Sequence, residues 1–340
     1  GKVVQSLCCS TKEAAMTTKY PNIVVTTIKC DVFDDGKVVH FTNDTSPGKK
    51  ARFLINVEQI PGDRFGETKF KADVLITNAE IEAKIAEFGT RCTPLFYLHG
   101  YFNPPSQVFA DLEKACKKFK DNGCIYYPIP VLWPTQGGIR YLSDQDGFSQ
   151  EAGQLLKLLT DIIPNDLFER KSLMMHSMGN HVVFNGACGA GQPDVEFENI
   201  FMVAADVPFD IFHKDPYEDY KFRGRFNGNK ELKADRFVKM LAKNSDGSYL
   251  GKIYVLHTKR DTVLRFSNIA NFENRIGFRG IGARRDKNWS FDSSIIRDNI
   301  KNVYENKDGA NELLSDPLGH GFQFDDWAIK FYSEKSIKKN

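Results

Sequence analysis

The pattern of hydrophobic and polar positions changes once along this chain, near residue 93. Before that point, short β-branched or alternating runs are separated by turn clusters, a pattern typical of antiparallel hairpins. The runs are residues 23–28, 37–41 and 51–57, and the turns are residues 34–36 and 46–48. Residues 79–88 follow and predict a helix. We interpret His40 as a packed or solvent-facing strand residue, because a histidine inside such a run seldom serves as a ligand.

After residue 93, apolar runs alternate with amphipathic segments. Strands are predicted at residues 95–98, 125–132, 200–205, 252–256 and 302–304, and helices at 106–119, 149–163 and 324–333. Strands that alternate with helices predict an α/β fold with a mostly parallel sheet and helices on both faces. Two prolines in residues 125–132 favour an outer position for that strand, or a short strand that leaves the sheet.

One stretch carries the clearest chemical signal. The apolar run after Lys171 ends at residues 176–179, His-Ser-Met-Gly, and a second apolar run follows at once. This pattern predicts a strand, a tight corner and a helix. Ser177 is then held at the carboxyl edge of the sheet, beside the unpaired N–H groups of the first helical turn. The arrangement suits acyl transfer and predicts Ser177 as a catalytic nucleophile.

A serine nucleophile needs a base that removes its proton and a buried carboxylate that orients the base. After Ser177 the sequence offers Asp261 just past a predicted strand and His320 in a glycine-flanked loop, in the chain order Ser, acid, His. Asp206 also follows a strand and stays open as the acid. We favour Asp261, because the Val-Pro pair after Asp206 suggests a turn. Asp261 could instead cap the helix that follows it.

Negative charge that develops on a substrate oxygen needs N–H donors aimed at it. The residue after the nucleophile supplies the N–H of Met178. The loop after the first core strand supplies the N–H of Tyr101, and Gly100 in that loop permits a close backbone approach. Met178 and Tyr101 are therefore the predicted oxyanion-hole donors.

Composition narrows the class of function. With 340 residues, 41% of them hydrophobic, the chain can bury one large core or one core and a smaller domain. A net charge of +2 argues against a nucleic-acid binder, and no run approaches the ~20 apolar residues of a membrane span. Seven cysteines without ligand-like C-x-x-C spacing favour reduced or buried thiols and a cytoplasmic location. The first residue is not Met, which leaves a trimmed targeting segment open.

Residues 209–251 are long, charged and aromatic, and we interpret them as a lid-like excursion between two strands. Lipase lids present a broad apolar face to lipid, and residues 213–221 are too charged for that role. The expected partner is therefore a small, water-soluble ester with a short to medium acyl group. No metal and no cofactor are predicted, and the oligomeric state is left open.

Several short motifs together resemble a known family. They are His-Gly-Tyr-Phe-Asn at 99–103, Trp-Pro at 133–134 with Tyr141 and Asp144 after it, His-Ser-Met-Gly-Asn at 176–180, Ala-Ala-Asp-Val at 204–207, Asp-Thr-Val-Leu at 261–264 and Gly-His at 319–320. The chain resembles the esterase-like α/β-hydrolase family of unannotated function whose members carry an His-Ser-Met-Gly-Asn nucleophile elbow. The resemblance runs from about Thr93 to about Trp327.

This resemblance implies an α/β-hydrolase fold and a serine esterase that cleaves a carboxylic ester without a cofactor. It implies Ser177 as nucleophile, with Asp261 and His320 completing a catalytic triad. One position departs from the pattern, since Met175 stands two residues before the serine, where Gly or Ala is usual. The alternative is therefore a catalytically degenerate hydrolase fold that binds a ligand or a partner.

The residues before Thr93 are predicted to extend the sheet, because an uncovered edge strand would expose unpaired N–H and C=O groups. Residues 51–57 with 74–77 are the expected partners of that edge. An independent module would need a flexible linker, and residues 77–93 lack the Gly, Ser or Pro content for one. The expected division is a loose arm at 1–20, sheet-extending strands at 21–92 and a catalytic domain at 93–335.

Overall fold

The computed structural model describes residues 23–44, 46–87, 93–135, 170–189, 194–207, 212, 237–258, 260–271, 300–304 and 320–336. Three sequence predictions lie mainly outside these residues. They are the N-terminal arm, the helix at 149–163 and most of the lid-like excursion, of which only residue 212 and residues from 237 onward are described.

Within the described residues, eleven strands form one sheet and five α-helices pack beside it. The strands are β1 (Val24–Ile28), β2 (Asp31–Phe33), β3 (Val38–Thr42), β4 (Pro47–Pro61), β5 (Thr68–Leu75), β6 (Thr93–Leu98), β7 (Tyr126–Leu132), β8 (Ser172–His176), β9 (Asn199–Val203), β10 (Lys252–His257) and β11 (Ile300–Tyr304). The helices are α1 (Asn78–Ala86), α2 (Pro105–Asp121), α3 (Met178–Gly189), α4 (Thr262–Asn271) and α5 (Asp326–Ser336). None of the helices in the described ranges is both long enough and apolar enough to cross a membrane.

The strand order is β11-β10-β9-β8-β6-β7-β1-β4-β5-β3-β2. All pairings from β11 to β1 are parallel, and all pairings from β1 to β2 are antiparallel. The predicted mostly parallel sheet with an antiparallel N-terminal extension is confirmed. The predicted strands and helices that fall on described residues are all present, with ends shifted by a few residues.

The junction between the two parts of the sheet differs from the prediction. Residues 51–57 do not cover the parallel sheet directly. Instead β1 pairs with β7 on one side, through Val25 and Val131, and with β4 on the other. The first core strand, β6, is interior, between β7 and β8. Every residue of β1 is buried whereas β4 has several exposed positions, so β1 is the strand that can occupy an interior place with both faces covered.

The two prolines of β7 do not place this strand at an outer position, since β7 lies between β6 and β1. The backbone N–H groups along a strand point alternately to its two neighbours, so the nitrogens of Pro128 and Pro130 face the same neighbour. The N–H of Trp133, an odd number of residues away, points to the β6 side, where it reaches His99. The nitrogens of the prolines therefore face β1, but β1 pairs only with the last two residues of β7. The absence of an N–H at the two prolines thus removes no hydrogen bond between strands.

Successive side chains along a strand belong to two different hydrophobic clusters, one on each face of the sheet. Phe96 of β6 packs in one cluster with residues of α1 and α3, and Tyr97 packs in the other with residues of α2 and α5. Helices therefore cover both faces of the sheet, as a period of two along a buried strand requires.

The carboxyl ends of β6, β8, β9 and β10 lie at the same edge of the sheet, because these strands are parallel. The chain leaves β6 to one side to form β7 and returns on the other side to form β8. A crevice for a ligand is expected outside the strand ends at such a reversal of strand order. Gly100, Ser177, Asp206 and Asp261 all follow these strand ends.

We expect Val25→Lys to lower the free energy of unfolding by at least about 3 kcal/mol, because it places an ammonium group in the dry β1–β7 junction. Val32→Lys, the same change on β2 at a side chain that is 45% exposed, is the matched control and should cost less than about 0.5 kcal/mol. Denaturant unfolding followed by circular dichroism and tryptophan fluorescence measures both. A Val25→Lys protein with two separate transitions, the second at the wild-type midpoint, would mean that the N-terminal strands form a separate module.

Candidate active site

Ser177 occupies the corner between β8 and α3 in a strained conformation. Its φ is 52°, in the left-handed region that residues with a Cβ seldom adopt, at a typical cost on the order of 1 kcal/mol or more. The surrounding backbone holds it there. The N–H of Ser177 donates to the carbonyl oxygen of Val203 at 2.9 Å, and its own carbonyl oxygen accepts from the N–H of Asp206 at 3.2 Å. Asn180 closes the corner by donating from Nδ2 to the carbonyl oxygens of Met175 and Ser177.

The closest backbone approach at this corner lies at Gly179. A methyl group there would meet the carbonyl oxygens of His99 and Leu98 at 2.7 and 2.8 Å, so the start of α3 rests directly on the end of β6. Met175 is fully buried in the hydrophobic cluster on the α3 side, together with Met178. The unusual residue two places before the serine is therefore accommodated as a core side chain, and the corner keeps its positive φ.

The loop after β6 lies against the serine. A methyl group at Gly100 would be 3.0 Å from Cβ of Ser177 and 2.8 Å from Nδ1 of His176, so only glycine fits between them. Tyr101 is the next residue of this loop. Met178 is the first residue of α3, where the N–H has no carbonyl one turn earlier in the helix. The two predicted donors thus belong to two backbone segments that lie next to Ser177.

Asp261 and His320 are in contact. Nδ1 of His320 lies 2.8 Å from Oδ2 of Asp261, whose side chain is fully buried. The other carboxylate oxygen, Oδ1, accepts the backbone N–H of Leu264 at 2.8 Å in the first turn of α4. Burial raises the pKa of the Asp261 carboxyl above its ordinary value, and the nearby charge of Asp206 adds to this, while the hydrogen bond from His320 opposes it. One carboxylate therefore caps α4 and orients the histidine, two roles that the sequence presented as alternatives.

Asp206 makes different contacts. Oδ1 of Asp206 accepts the hydroxyl of Ser267 at 2.6 Å, and its backbone N–H reaches the carbonyl oxygen of Ser177. Asp206 is also buried. It joins the elbow to α4, whereas the carboxylate in contact with His320 is that of Asp261.

Residues 80–305 match the model of a protein family described as "Alpha/beta hydrolase of unknown function (DUF900)". The chain belongs to this family. The match covers two thirds of the chain and includes Ser177 and Asp261, and it ends before His320. The α/β-hydrolase fold predicted from the sequence is confirmed, and so is membership in an α/β-hydrolase family of unannotated function.

Three solved structures illustrate what this DUF900 member is similar to. The esterase Pf2001 of Pyrococcus furiosus is 10% identical with a TM-score of 0.36, covering 91% of each chain. Est1E of Butyrivibrio proteoclasticus is 10% identical with a TM-score of 0.40, covering 92% of this chain and all of its own. The poly(3-hydroxybutyrate) depolymerase LpqC of Bordetella parapertussis is 11% identical with a TM-score of 0.41, covering 92% of each chain. No curated protein matches the chain.

The sequence assigned no role to His99 of this DUF900 member, but the structure shows that it holds the loop after β6. The backbone N–H of Trp133 donates to Nε2 of His99 at 3.3 Å, so Nε2 is unprotonated and Nδ1 carries the hydrogen that goes to the carbonyl oxygen of Gly100 at 2.8 Å. The indole N–H of Trp133 donates to the His99 carbonyl oxygen, and the two rings stack at 5.0 Å. Burial lowers the pKa of His99 to about 4, which keeps the ring neutral at physiological pH. These contacts fix the loop that carries Gly100 and Tyr101.

His176 is the second residue that sequence reasoning missed. Its Nε2 lies 3.0 Å from the carbonyl oxygen of His320, and the two rings are 4.9 Å apart. The only sequence signal for this contact is the position of His176 beside the serine, which is also a common place for a histidine without a role. Within the described ranges, no group of three or more His, Cys, Asp or Glu side chains is arranged to hold a metal ion.

The low pKa of His99 predicts a pH-dependent contribution to stability. The unfolded chain takes up a proton near pH 6.5 and the folded chain only near pH 4, so the contribution is complete above pH 6.5 and is lost as the pH falls toward 4. We expect His99→Asn, which keeps a donor for Gly100 but does not titrate, to be less stable than wild type at pH 7. This difference should narrow by about 2 kcal/mol at pH 5, measured by denaturant unfolding. A difference that stays constant between the two pH values would contradict the assignment.

Proposed function

We propose that this α/β hydrolase is a serine esterase that cleaves carboxylic esters through an acyl-enzyme. The observation that carries the proposal is the contact of His320 with the buried carboxylate of Asp261 at the same sheet edge as Ser177. A histidine oriented by a buried acid, next to a serine at a strained strand-to-helix corner, is the combination that acyl transfer needs. Membership in an α/β-hydrolase family supports the same class of reaction.

In the proposed mechanism, Oγ of Ser177 attacks the ester carbonyl carbon while Nε2 of His320 takes the hydroxyl proton. The Asp261 carboxylate accepts the Nδ1 hydrogen of His320, which leaves Nε2 free to act as the base and stabilises the imidazolium that forms. The backbone N–H groups of Met178 and Tyr101 stabilise the oxyanion. His320 then returns the proton to the leaving alkoxide as the C–O bond breaks, and an alcohol departs.

The second half of the reaction repeats these steps with water. His320 takes a proton from a water molecule whose oxygen attacks the acyl-enzyme carbonyl, and then returns it to Oγ of Ser177 as the carboxylic acid is released. Every proton in this cycle moves through His320. The proposed chemistry uses side chains and backbone of the chain together with one water molecule.

The proposed substrate is a water-soluble ester with a short to medium acyl group. This assignment depends on the sequence of residues 213–221. These residues are highly charged, whereas a lipase lid presents a broad apolar face to lipid. Activity that rises sharply once a long-chain ester exceeds its solubility limit would contradict it.

We expect Ser177→Ala to lower kcat for a short p-nitrophenyl ester by roughly three to six orders of magnitude, because the attacking oxygen is removed. A fluorophosphonate probe should label wild type at Ser177, identified by mass spectrometry of the labelled peptide, and should leave Ser177→Ala unlabelled. The control is Ser267→Ala, which removes a nearby buried hydroxyl that contacts Asp206. Wild-type protein that resists the probe would favour the alternative of a ligand-binding, catalytically degenerate fold.

Asp261→Asn should lower kcat by about four orders of magnitude, because an amide in place of the carboxylate favours the wrong tautomer of His320. Asp206→Asn replaces a second buried carboxylate a short distance away and should cost far less, since its amide oxygen can still accept the hydroxyl of Ser267. The two variants are compared by kcat and kcat/KM on the same ester. A larger loss in Asp206→Asn would mean that the other strand edge supplies the acid.

A further inference from the structure

His176 connects three separate parts of the candidate active site. It is the last residue of β8 and precedes Ser177 directly. Its Nε2 reaches the backbone carbonyl oxygen of His320, which lies 144 residues further along the chain. On the other side of the ring, Nδ1 lies where a methyl group at Gly100 would approach to 2.8 Å. The buried ring therefore fills the space between the loop that carries Gly100, the elbow at Ser177 and the segment of His320.

The direction of this hydrogen bond follows from its partners. A backbone carbonyl oxygen only accepts, so Nε2 of His176 carries the hydrogen and donates it to His320. The same residue, His320, is held at its side chain by Asp261. His320 is thus fixed at two points, at the carbonyl oxygen of its backbone and at Nδ1 of its ring. With both points fixed, the position of the remaining ring nitrogen, Nε2, is restricted.

The strand pattern explains why this residue can make the contact. Side chains alternate along β8, so that Met175 packs in the cluster on the α3 side and Met174 in the cluster that contains α5 residues. His176, two residues after Met174, faces the α5 side. His320 lies a short distance before α5 in the chain, on the segment that leads into that helix. The elbow and the returning chain therefore meet at the position of His176.

We propose that His176 is a positioning residue for His320, holding the segment of the proposed base at a fixed distance from the elbow that carries Ser177. This inference rests on the proposed esterase function. Proton transfer between Ser177 and His320 depends on their separation, and a displacement of about 1 Å in an active site can cost on the order of 100-fold in rate. His176 acts through His320 and does not exchange protons with the substrate.

The test distinguishes the effect of the Nε2–H donor of His176 from the effect of the size of its side chain. His176→Phe keeps a ring and removes the donor, whereas His176→Gln places an amide N–H close to the position of Nε2. His176→Asn has an amide too, but its nitrogen falls near the position of Nδ1, too short to reach His320. We expect kcat for a short p-nitrophenyl ester to fall about 100-fold in the Phe and Asn variants, with KM changed less than about threefold. The Gln variant should recover to within about tenfold of wild type.

The rate of fluorophosphonate labelling should follow the same order, since the probe requires the same proton transfer. His40→Phe is the matched control. It makes the same chemical change on β3, at a partly buried ring that packs near Phe33, and should leave both rates unchanged. If the Phe variant does not fold, the comparison of Asn with Gln carries the test.

Equal losses in the Asn and Gln variants, or a Phe variant with the wild-type kcat, would overturn the positioning role while leaving the esterase proposal intact. A loss that appears in KM with kcat unchanged would overturn it too, since it would place His176 in substrate binding. Wild-type protein that is neither labelled nor active would overturn both proposals, which distinguishes that outcome from the others.

Discussion

The contact between the start of α3 and the end of β6 is the constraint on which the candidate site depends. With glycine at position 179, the helix backbone lies so close to the carbonyl oxygens of His99 and Leu98 that a Cβ would clash with them. A second glycine, Gly100, lets the following loop reach the serine. Inserting even a methyl group into such a contact typically costs about 1–3 kcal/mol, because backbone atoms cannot move aside as a side chain can. Two glycines therefore set how closely α3 approaches the end of β6 and how closely the loop after β6 approaches Ser177.

Buried polar groups stabilise this arrangement, and several of them serve two elements at once. Asn180 holds the corner of the elbow, Asp206 joins the elbow to α4, and Asp261 joins α4 to His320. Neutral His99 joins the end of β7 to the loop that carries Gly100 and Tyr101. A buried network of this kind is rigid only when its members are satisfied. The strain at Ser177 is maintained by hydrogen bonds of its N–H to Val203 and of its carbonyl oxygen to Asp206 and Asn180.

Features encoded by neighbouring residues could be predicted from the sequence. The elbow follows from the abrupt change between two apolar runs at Ser177, and the strands and helices follow from their periods. The β1–β7 junction could not, because all hydrophobic strands in the N-terminal segment are similar and the choice among them depends on which one is buried on both faces. The prediction that the prolines place β7 at an outer position was wrong for a related reason, since a missing N–H matters only where a neighbouring strand runs alongside.

The candidate site also combines residues that could be predicted from the sequence with one contact that could not. Ser177, Asp261 and His320 each follow a recognisable local pattern, and the contact of Asp261 with His320 agrees with the interpretation favoured over Asp206. Their catalytic roles stay predictions. The contact of His176 with His320 could not be predicted, because the residues around His176 do not indicate where a segment 144 residues further along the chain will lie.

The position of β1 has a consequence for how the chain folds. Strands β2 to β5 pair with one another within residues 31–75 and can do so early, whereas β1 must wait for β7, roughly 100 residues further along. Loop closure over that distance costs entropy before the new pairing compensates for it. During synthesis, β1 therefore waits longer for its second partner than any other described strand does. Until β7 emerges, β1 stays unpaired on one side, and an unpaired strand edge of this kind can pair with another chain and aggregate.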